Sequence, residues 1–277
     1  MVKQFIRVVT SLAAVVLPLV AGAVAQQAET AAGPAAPQSA HAELVVVAGA
    51  TGRTGTEVVN ELLMNGYRVR AFVRDIDKAR AKLGEGIEYA GGDVRQPATI
   101  ADALEGADAL ISAIGAGRGD PTNGPEFVDY GGVKNLADAS AAAGLRQMVL
   151  VSSMGVTQED HILNKMFDDV LNWKFKGEEA LRTSGVPYTI VRPGGLTNAP
   201  GGEFEIIFRQ GDKDAGVIPR ADVARVCVAA LGSANALNKT FEVTGGKTPP
   251  AAETTDGFAA LLADSPANSN GTANDAE

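Results

Sequence analysis

Residues 43–55 read Glu-Leu-Val-Val-Val-Ala-Gly-Ala-Thr-Gly-Arg-Thr-Gly, and this stretch decides the fold. Glu43–Ala48 is short, rich in valine and almost wholly apolar, the pattern of a parallel strand buried on both faces. Gly49, Gly52 and Gly55 follow at three-residue spacing. Over Thr56–Asn65, Val58, Val59, Leu62 and Leu63 form an apolar helical stripe that Gly66 closes. Tyr67–Val73 returns as a second strand, completing a βαβ unit. In that setting glycines let the backbone turn sharply and approach a pyrophosphate, and the helix start offers N–H groups and a positive dipole. The stretch predicts a dinucleotide site around Gly49, Thr51, Gly52, Arg53, Thr54 and Gly55.

The alternation continues outward. Strands are expected at Ile87–Gly91, Ala109–Ala113, Gln147–Ser152, Tyr188–Arg192 and Lys239–Val243. Helices are expected from Pro97, over Phe127–Ala143, over Ile162–Thr183 as one long element, and over Ala221–Leu231. Regular βα alternation predicts an α/β fold, a doubly wound, mostly parallel, Rossmann-like sheet in a single domain over residues 43–264.

The two ends read differently. Lys3 and Arg7 precede an apolar stretch, Val8–Val24, that Pro18 interrupts, and Ala23-Val24-Ala25 is a small-x-small cleavage pattern. Residues 1–25 are therefore expected to be a cleaved export signal, leaving no stable membrane span. This places the mature chain in a periplasm, an organelle lumen or outside the cell, and in the cytoplasm only if translation starts elsewhere. Residues 26–42 read as a flexible leader and 265–277 as a disordered acidic tail. With 24 basic against 33 acidic residues and a net charge of -9, the chain lacks the basic face that nucleic acid requires. One cysteine, Cys227, excludes an internal disulfide, and with His41 and His161 as the only histidines no metal site is expected.

Cofactor choice is readable at the end of the second strand. Arg74 precedes Asp75 there, and Arg53 sits in the glycine turn. Two guanidiniums converging on a ribose 2′-phosphate favour NADP(H), while Asp75 keeps NAD open.

The Gly-x-x-Gly-x-x-Gly spacing and its surroundings resemble the atypical short-chain dehydrogenase/reductases, most of all the NmrA-like and flavin-reductase-like members. The resemblance runs from Leu44 to about Phe258. It implies that Asp93 and Val94, after the third strand, meet the adenine. It implies that Ala113, Ile114 and Gly115, after the fourth, pass the ribose, and that Pro193, Gly194, Gly195 and Leu196 line the nicotinamide. For catalysis it implies Ser153, with Ser152 beside it, as the residue that polarises the acceptor, and Lys176 as the ribose-holding lysine. The tyrosine expected four residues before that lysine is replaced by Asn172. An asparagine cannot donate and recover a proton as a phenol does. Tyr130 and Lys134 have Tyr-x-x-x-Lys spacing but precede the serines, so Tyr130 reads as packing or cofactor-side surface rather than as the catalytic tyrosine. His161, Asp168 and Asp169 are the other ionisable residues nearby.

These features predict an NADP(H)-dependent oxidoreductase that reduces a small carbonyl, quinone or flavin-like acceptor. The alternative from the missing tyrosine is a non-catalytic nucleotide-binding sensor or scaffold with a protein partner. Sugar-nucleotide epimerisation is a weaker alternative, because the short stretch after Leu196 leaves little room for a substrate domain.

Overall fold

A computed structural model of the chain describes residues 43–117, 121–250 and 257–265. The expected signal and leader, and all of the expected tail beyond Ser265, lie outside the described residues.

The first strand, β1 (Leu44–Ala48), is enclosed at all five positions. Its side chains alternate: Val45 and Val47 enter one core cluster, Val46 and Ala48 the other. That two-sided burial explains an apolar run without alternation, and each enclosed valine contributes about 1.5–3 kcal/mol. Chain order continues with α1 (Arg53–Met64), β2 (Arg68–Val73), α2 (Ile76–Leu83), β3 (Glu88–Gly91), α3 (Pro97–Leu104) and β4 (Ala109–Ser112). A π-helical segment over Glu126–Gly132 runs into α4 (Val133–Ala142). Then come β5 (Gln147–Val151), α5 (Ile162–Met166), α6 (Val170–Thr183) and β6 (Tyr188–Pro193). The C-terminal part holds β7 (Gly195–Thr197), β8 (Ile206–Arg209), β9 (Val217–Pro219), α7 (Arg220–Leu231) and β10 (Lys239–Gly245).

The main sheet has eight strands in the order β3-β2-β1-β4-β5-β6-β10-β8. Every neighbouring pair is parallel except β10 with β8. One core cluster packs β1 against α1 and α7; the other packs it against α3 and α4. This is the doubly wound Rossmann-like arrangement, with the reversal of strand order between β1 and β4.

Three departures from the sequence expectation bear on the site. Helix α2 is an added element whose N-terminus is capped by Asp75, which accepts the Lys78 N–H at 3.0 Å. The helix expected over Ile162–Thr183 is two helices, broken at Phe167-Asp168-Asp169. The helix expected over Phe127–Ala143 begins as a π-helical turn, a form that recurs at functional sites.

Candidate functional site

At the carboxyl ends of β1, β2 and β4 lies a cleft of about 240 Å³. Gly49, Thr51 and Gly52 form its floor, Arg74, Asp93 and Val94 one side, and Ala113, Ile114 and Gly115 the other. The glycines are required by geometry. Gly49 has φ +80°, and a Cβ there would lie 2.7 Å from the Ala113 carbonyl oxygen. A Cβ on Gly55 would lie 2.1 Å from the Gly49 oxygen, so only glycine lets α1 start this close to the turn. Helix α1 has no side-chain cap and no acidic residue in its first turn. The N–H groups of Arg53, Thr54 and Gly55 thus open a helix whose positive end is left for an anion. A dinucleotide pyrophosphate fits this cradle.

The polar sides of the cleft carry more detail than the sequence did. Arg74 lines the cleft and makes no hydrogen bond or ion pair with another described residue. Arg53 lies on the outer flank of the turn, in a groove shared with Lys82 and Arg220. Burial first, and then the Arg53 charge, lower the Arg220 pKa. Lys82 donates to the Thr51 carbonyl at 2.8 Å. Asp75, the carboxylate that kept NAD open, is engaged by Lys78 through both oxygens. Its pKa is lowered by those Lys78 hydrogen bonds. Asp93 is held by Arg95, which donates to Oδ1 at 2.9 Å and Oδ2 at 2.6 Å. The Arg95 hydrogen bond is the main cause lowering the Asp93 pKa. Arg95, Asn123 and Val128 belong to this neighbourhood and were not anticipated from sequence.

The lysine facing inward is Lys174. Its Nζ lies 2.7 Å from Oδ1 of Asp129, whose side chain is fully enclosed. Oδ2 of Asp129 accepts the Ala116 N–H at 3.0 Å, just past the end of β4. Gly177 allows this approach, since a Cβ there would lie 2.3 Å from the Asp129 carbonyl oxygen. Lys176, the expected lysine, is exposed, and its Nζ lies 4.0 Å from the Trp173 ring centroid. Trp173 in turn stacks on Tyr130 at 6.1 Å, a packing role.

Neither serine is among the residues lining the cleft. Ser152 is buried and its hydroxyl donates to Glu178 Oε1 at 2.6 Å. Glu178, fully enclosed, also binds Arg192 and Arg182. Burial is the largest single influence and opposes the Arg192 charge, but the hydrogen bonds and charges of Glu178 and Glu242 together raise the pKa. Half-buried Ser153 donates to the Met154 carbonyl at 2.9 Å. Pro193 ends β6; Gly194 and Gly195 pack on Gly216, and Leu196 is partly exposed. His161 caps α5, its Nδ1 accepting the Leu163 N–H at 3.2 Å. Among the described residues no group of His, Cys, Asp and Glu is placed to hold a metal, and no helix is long and apolar enough to cross a membrane.

A family model described as NAD(P)H-binding matches residues 49–234, the stretch that holds the whole cleft. The chain belongs to the NAD(P)H-binding family. Sanguinarine reductase from Eschscholzia californica is 36% identical over 79% of this chain and 94% of its own. An uncharacterized sugar epimerase, YhfK of Bacillus subtilis, is 31% identical over 74% of this chain and 95% of its own. Among solved structures, ChuY, an anaerobilin reductase from Escherichia coli O157:H7, superposes with a TM-score of 0.62. It shares 27% identity, covering 75% of this chain and 100% of that one. These likenesses place the NAD(P)H-binding chain among the atypical short-chain oxidoreductases that depend on NAD(P)H. Plant relatives include proteins named as chloroplastic.

In this NAD(P)H-binding chain the β4 tail serves two chambers. Ala113–Gly115 line the nucleotide cleft, and Ala116 and Gly117 line a second cavity of about 340 Å³. Its other walls are Pro125, Met166, Phe167, Asp168 and Val170. Asp168 and Asp169 have φ +50° and +56°, two consecutive left-handed residues that are not glycine. Each such residue costs roughly 1–2 kcal/mol. Buried Asn164 holds the break together. Its Oδ1 accepts the Leu171 N–H at 2.8 Å and its carbonyl accepts the Asp169 N–H at 3.0 Å.

Proposed function

We propose that the protein is an NADPH-dependent reductase of soft, planar acceptors of the quinone or flavin type, bound in the 340 Å³ cavity beside the nucleotide cleft. The observation that carries this reading is Lys174. It is the lysine turned toward the β4 tail, and the residue one helical turn before it is Val170, which lines the cavity. Where a phenol would donate a proton, this chain has an apolar wall. An acceptor that can take its proton from water suits such a site; an aldehyde does not.

When bound, the reduced nicotinamide supplies a hydride. The rest falls to the chain. The glycine turn and the α1 N-terminus bind the pyrophosphate. Arg74 at the cleft, with Arg53 on the outer flank, favours a 2′-phosphate. Lys174, fixed by Asp129, takes the ribose-holding role in place of Lys176. Ser152, committed to Glu178, acts in the fold, and Ser153 is close to the end of β5 without lining either chamber. Two of the relatives are named as reductases, of sanguinarine and of anaerobilin, which supports a reductive reaction.

The test is a screen of NADPH oxidation with quinones, flavins and aldehydes. Turnover is expected with the first two and little with aldehydes. Tight NADPH binding with no oxidation by any of them would overturn the reading and favour the nucleotide-binding sensor or scaffold that the absent tyrosine also permits. Export through residues 1–25 remains part of the proposal; N-terminal sequencing of the mature protein tests it, with a chain beginning near Gln26 expected.

A further inference from the structure

We propose that the groove between the starts of α1 and α7 is a second ligand site, and that it binds a phosphate dianion, free or as the ester of a small molecule. This goes beyond the reductase reading and does not rest on it.

The groove has a volume of about 300 Å³. It shares no lining residue with the nucleotide cleft or with the cavity beside the β4 tail. Three cations line it: Arg53 from the first turn of α1, Lys82 from the last turn of α2 and Arg220 at the start of α7. Thr56, Thr197 and Asn198 add two hydroxyls and an amide to the same walls. The chain as a whole carries a net charge of -9, so cations gathered in one groove run against its average.

The way these charges are held is the deciding observation. Arg220 is half-buried, and its Nη1 donates to Asn198 Oδ1 at 2.7 Å and to the Leu196 carbonyl at 3.3 Å. Lys82 is held by the Thr51 carbonyl. Arg53 makes no hydrogen bond or ion pair with another described residue. Each anchor is therefore a neutral oxygen, which fixes a position and leaves the charge uncompensated. Glu57 is the only carboxylate among the lining residues, and it forms no ion pair with another described residue. The lowered Arg220 pKa, caused first by burial and then by Arg53, fits two guanidiniums facing each other without a counter-charge. Like charges held together in this way are relieved by an anion between them. Two forked guanidiniums and one compact ammonium are the donor set that a tetrahedral dianion satisfies.

The occupant is neither the cofactor nor the acceptor, yet it meets backbone that serves the cofactor. Lys82 hangs on Thr51, which lies on the floor of the nucleotide cleft, and Arg53 belongs to the glycine turn itself. A phosphate in the groove thus engages the turn from its outer side. That is the position of an effector.

The test is calorimetric titration of inorganic phosphate and of glycerol phosphate into the full protein at constant ionic strength, with neutral glycerol as the blank. Binding of at least one phosphate compound is expected, and the tighter of the two identifies the free ion or the ester as the source. Arg220→Gln and Lys82→Gln should each weaken that binding about five- to tenfold. Lys213→Gln, the same charge change on the exposed loop between β8 and β9, should leave it unchanged. Thermal melts of all three establish that the variants fold; two groove variants are used so that one remains informative if the other does not. Saturation with NADH or NADPH should alter phosphate affinity by no more than about threefold. Absence of binding, or losses no larger than that of Lys213→Gln, overturns the inference. Displacement of phosphate by NADPH but not by NADH also overturns it, because the groove would then hold the cofactor's own 2′-phosphate; displacement by both does the same for the pyrophosphate. The expected pattern in a protein that oxidises no NADPH upholds the site and leaves only the reductase reading to fall.

Discussion

The ammonium of Lys174 lies 2.7 Å from the carboxylate of Asp129, and that carboxylate is closed off from solvent by the packing of α6 on the π-helical segment. A buried acid that also takes the Ala116 N–H fixes the lysine relative to the tail of β4. The ion pair is thus tied to the backbone just past the end of β4. Lys174→Met should lower reductase kcat at least about tenfold and destabilise the chain by stranding the enclosed Asp129 charge, whereas Lys176→Met should change both little. Asp129→Ala should also destabilise the chain by about 3 kcal/mol, because it strands the lysine charge. Steady-state kinetics and urea unfolding measure the two effects. Equal kinetic losses for the two lysine variants would refute the assignment.

Gly177 sets the distance between α6 and Asp129. A methyl group there would sit 2.3 Å from a backbone oxygen that cannot swing aside. Gly177→Ala should cost about 1–3 kcal/mol and raise the KM for NADPH, since the helix must retreat and take Lys174 with it. Alanine otherwise favours helix, so a thermal melt showing stabilisation would mean that the close approach does not exist in solution.

Arg74 lines the cleft and has no hydrogen-bond or ion-pair partner among the described residues. Arg74→Ala should reduce the preference for NADPH over NADH by about tenfold or more, acting on cofactor KM. An unchanged ratio would move the phosphate contact away from this residue, toward Arg53 and its groove.

Glu242 is buried, and Oε2 has no hydrogen-bond partner among the described residues, while Oε1 pairs with Arg192 at 3.2 Å. Burial raises its pKa above the ordinary carboxylate value. An acid whose folded pKa is raised contributes stability below its unfolded pKa and loses it as pH rises through the folded value. Glu242→Gln should therefore raise the melting temperature at neutral pH relative to the native chain. The gain should shrink as pH falls toward the unfolded pKa. A difference independent of pH would show that Glu242 titrates normally.

Most of the sheet could be read from sequence because its strands are enclosed on both sides, and such runs are conspicuous. The glycine turn was equally legible, since its spacing is forced by backbone contacts. The two lysines were not. Lys174 and Lys176 are two residues apart on a helix, so they point to nearly opposite sides, and neither spacing nor propensity says which side is inward. That is decided by Gly177 and by Asp129, a distant residue with no local signature. The break at Asp168–Asp169 was hidden because it uses neither proline nor glycine, and a buried asparagine stabilises it from outside the turn. Helix α2 escaped notice because its apolar face is only Ile76, Ala79 and Leu83. Strands β7 and β9 are three residues each, too short for a periodic pattern.

The stretch Ala113–Gly117 forms a party wall between two rooms. A ligand that shifts this partition from one side shifts it for the other, and thermodynamic linkage makes any such effect mutual. On the proposed function nucleotide and acceptor sit on its two sides, and any interaction energy between them enters both binding steps equally.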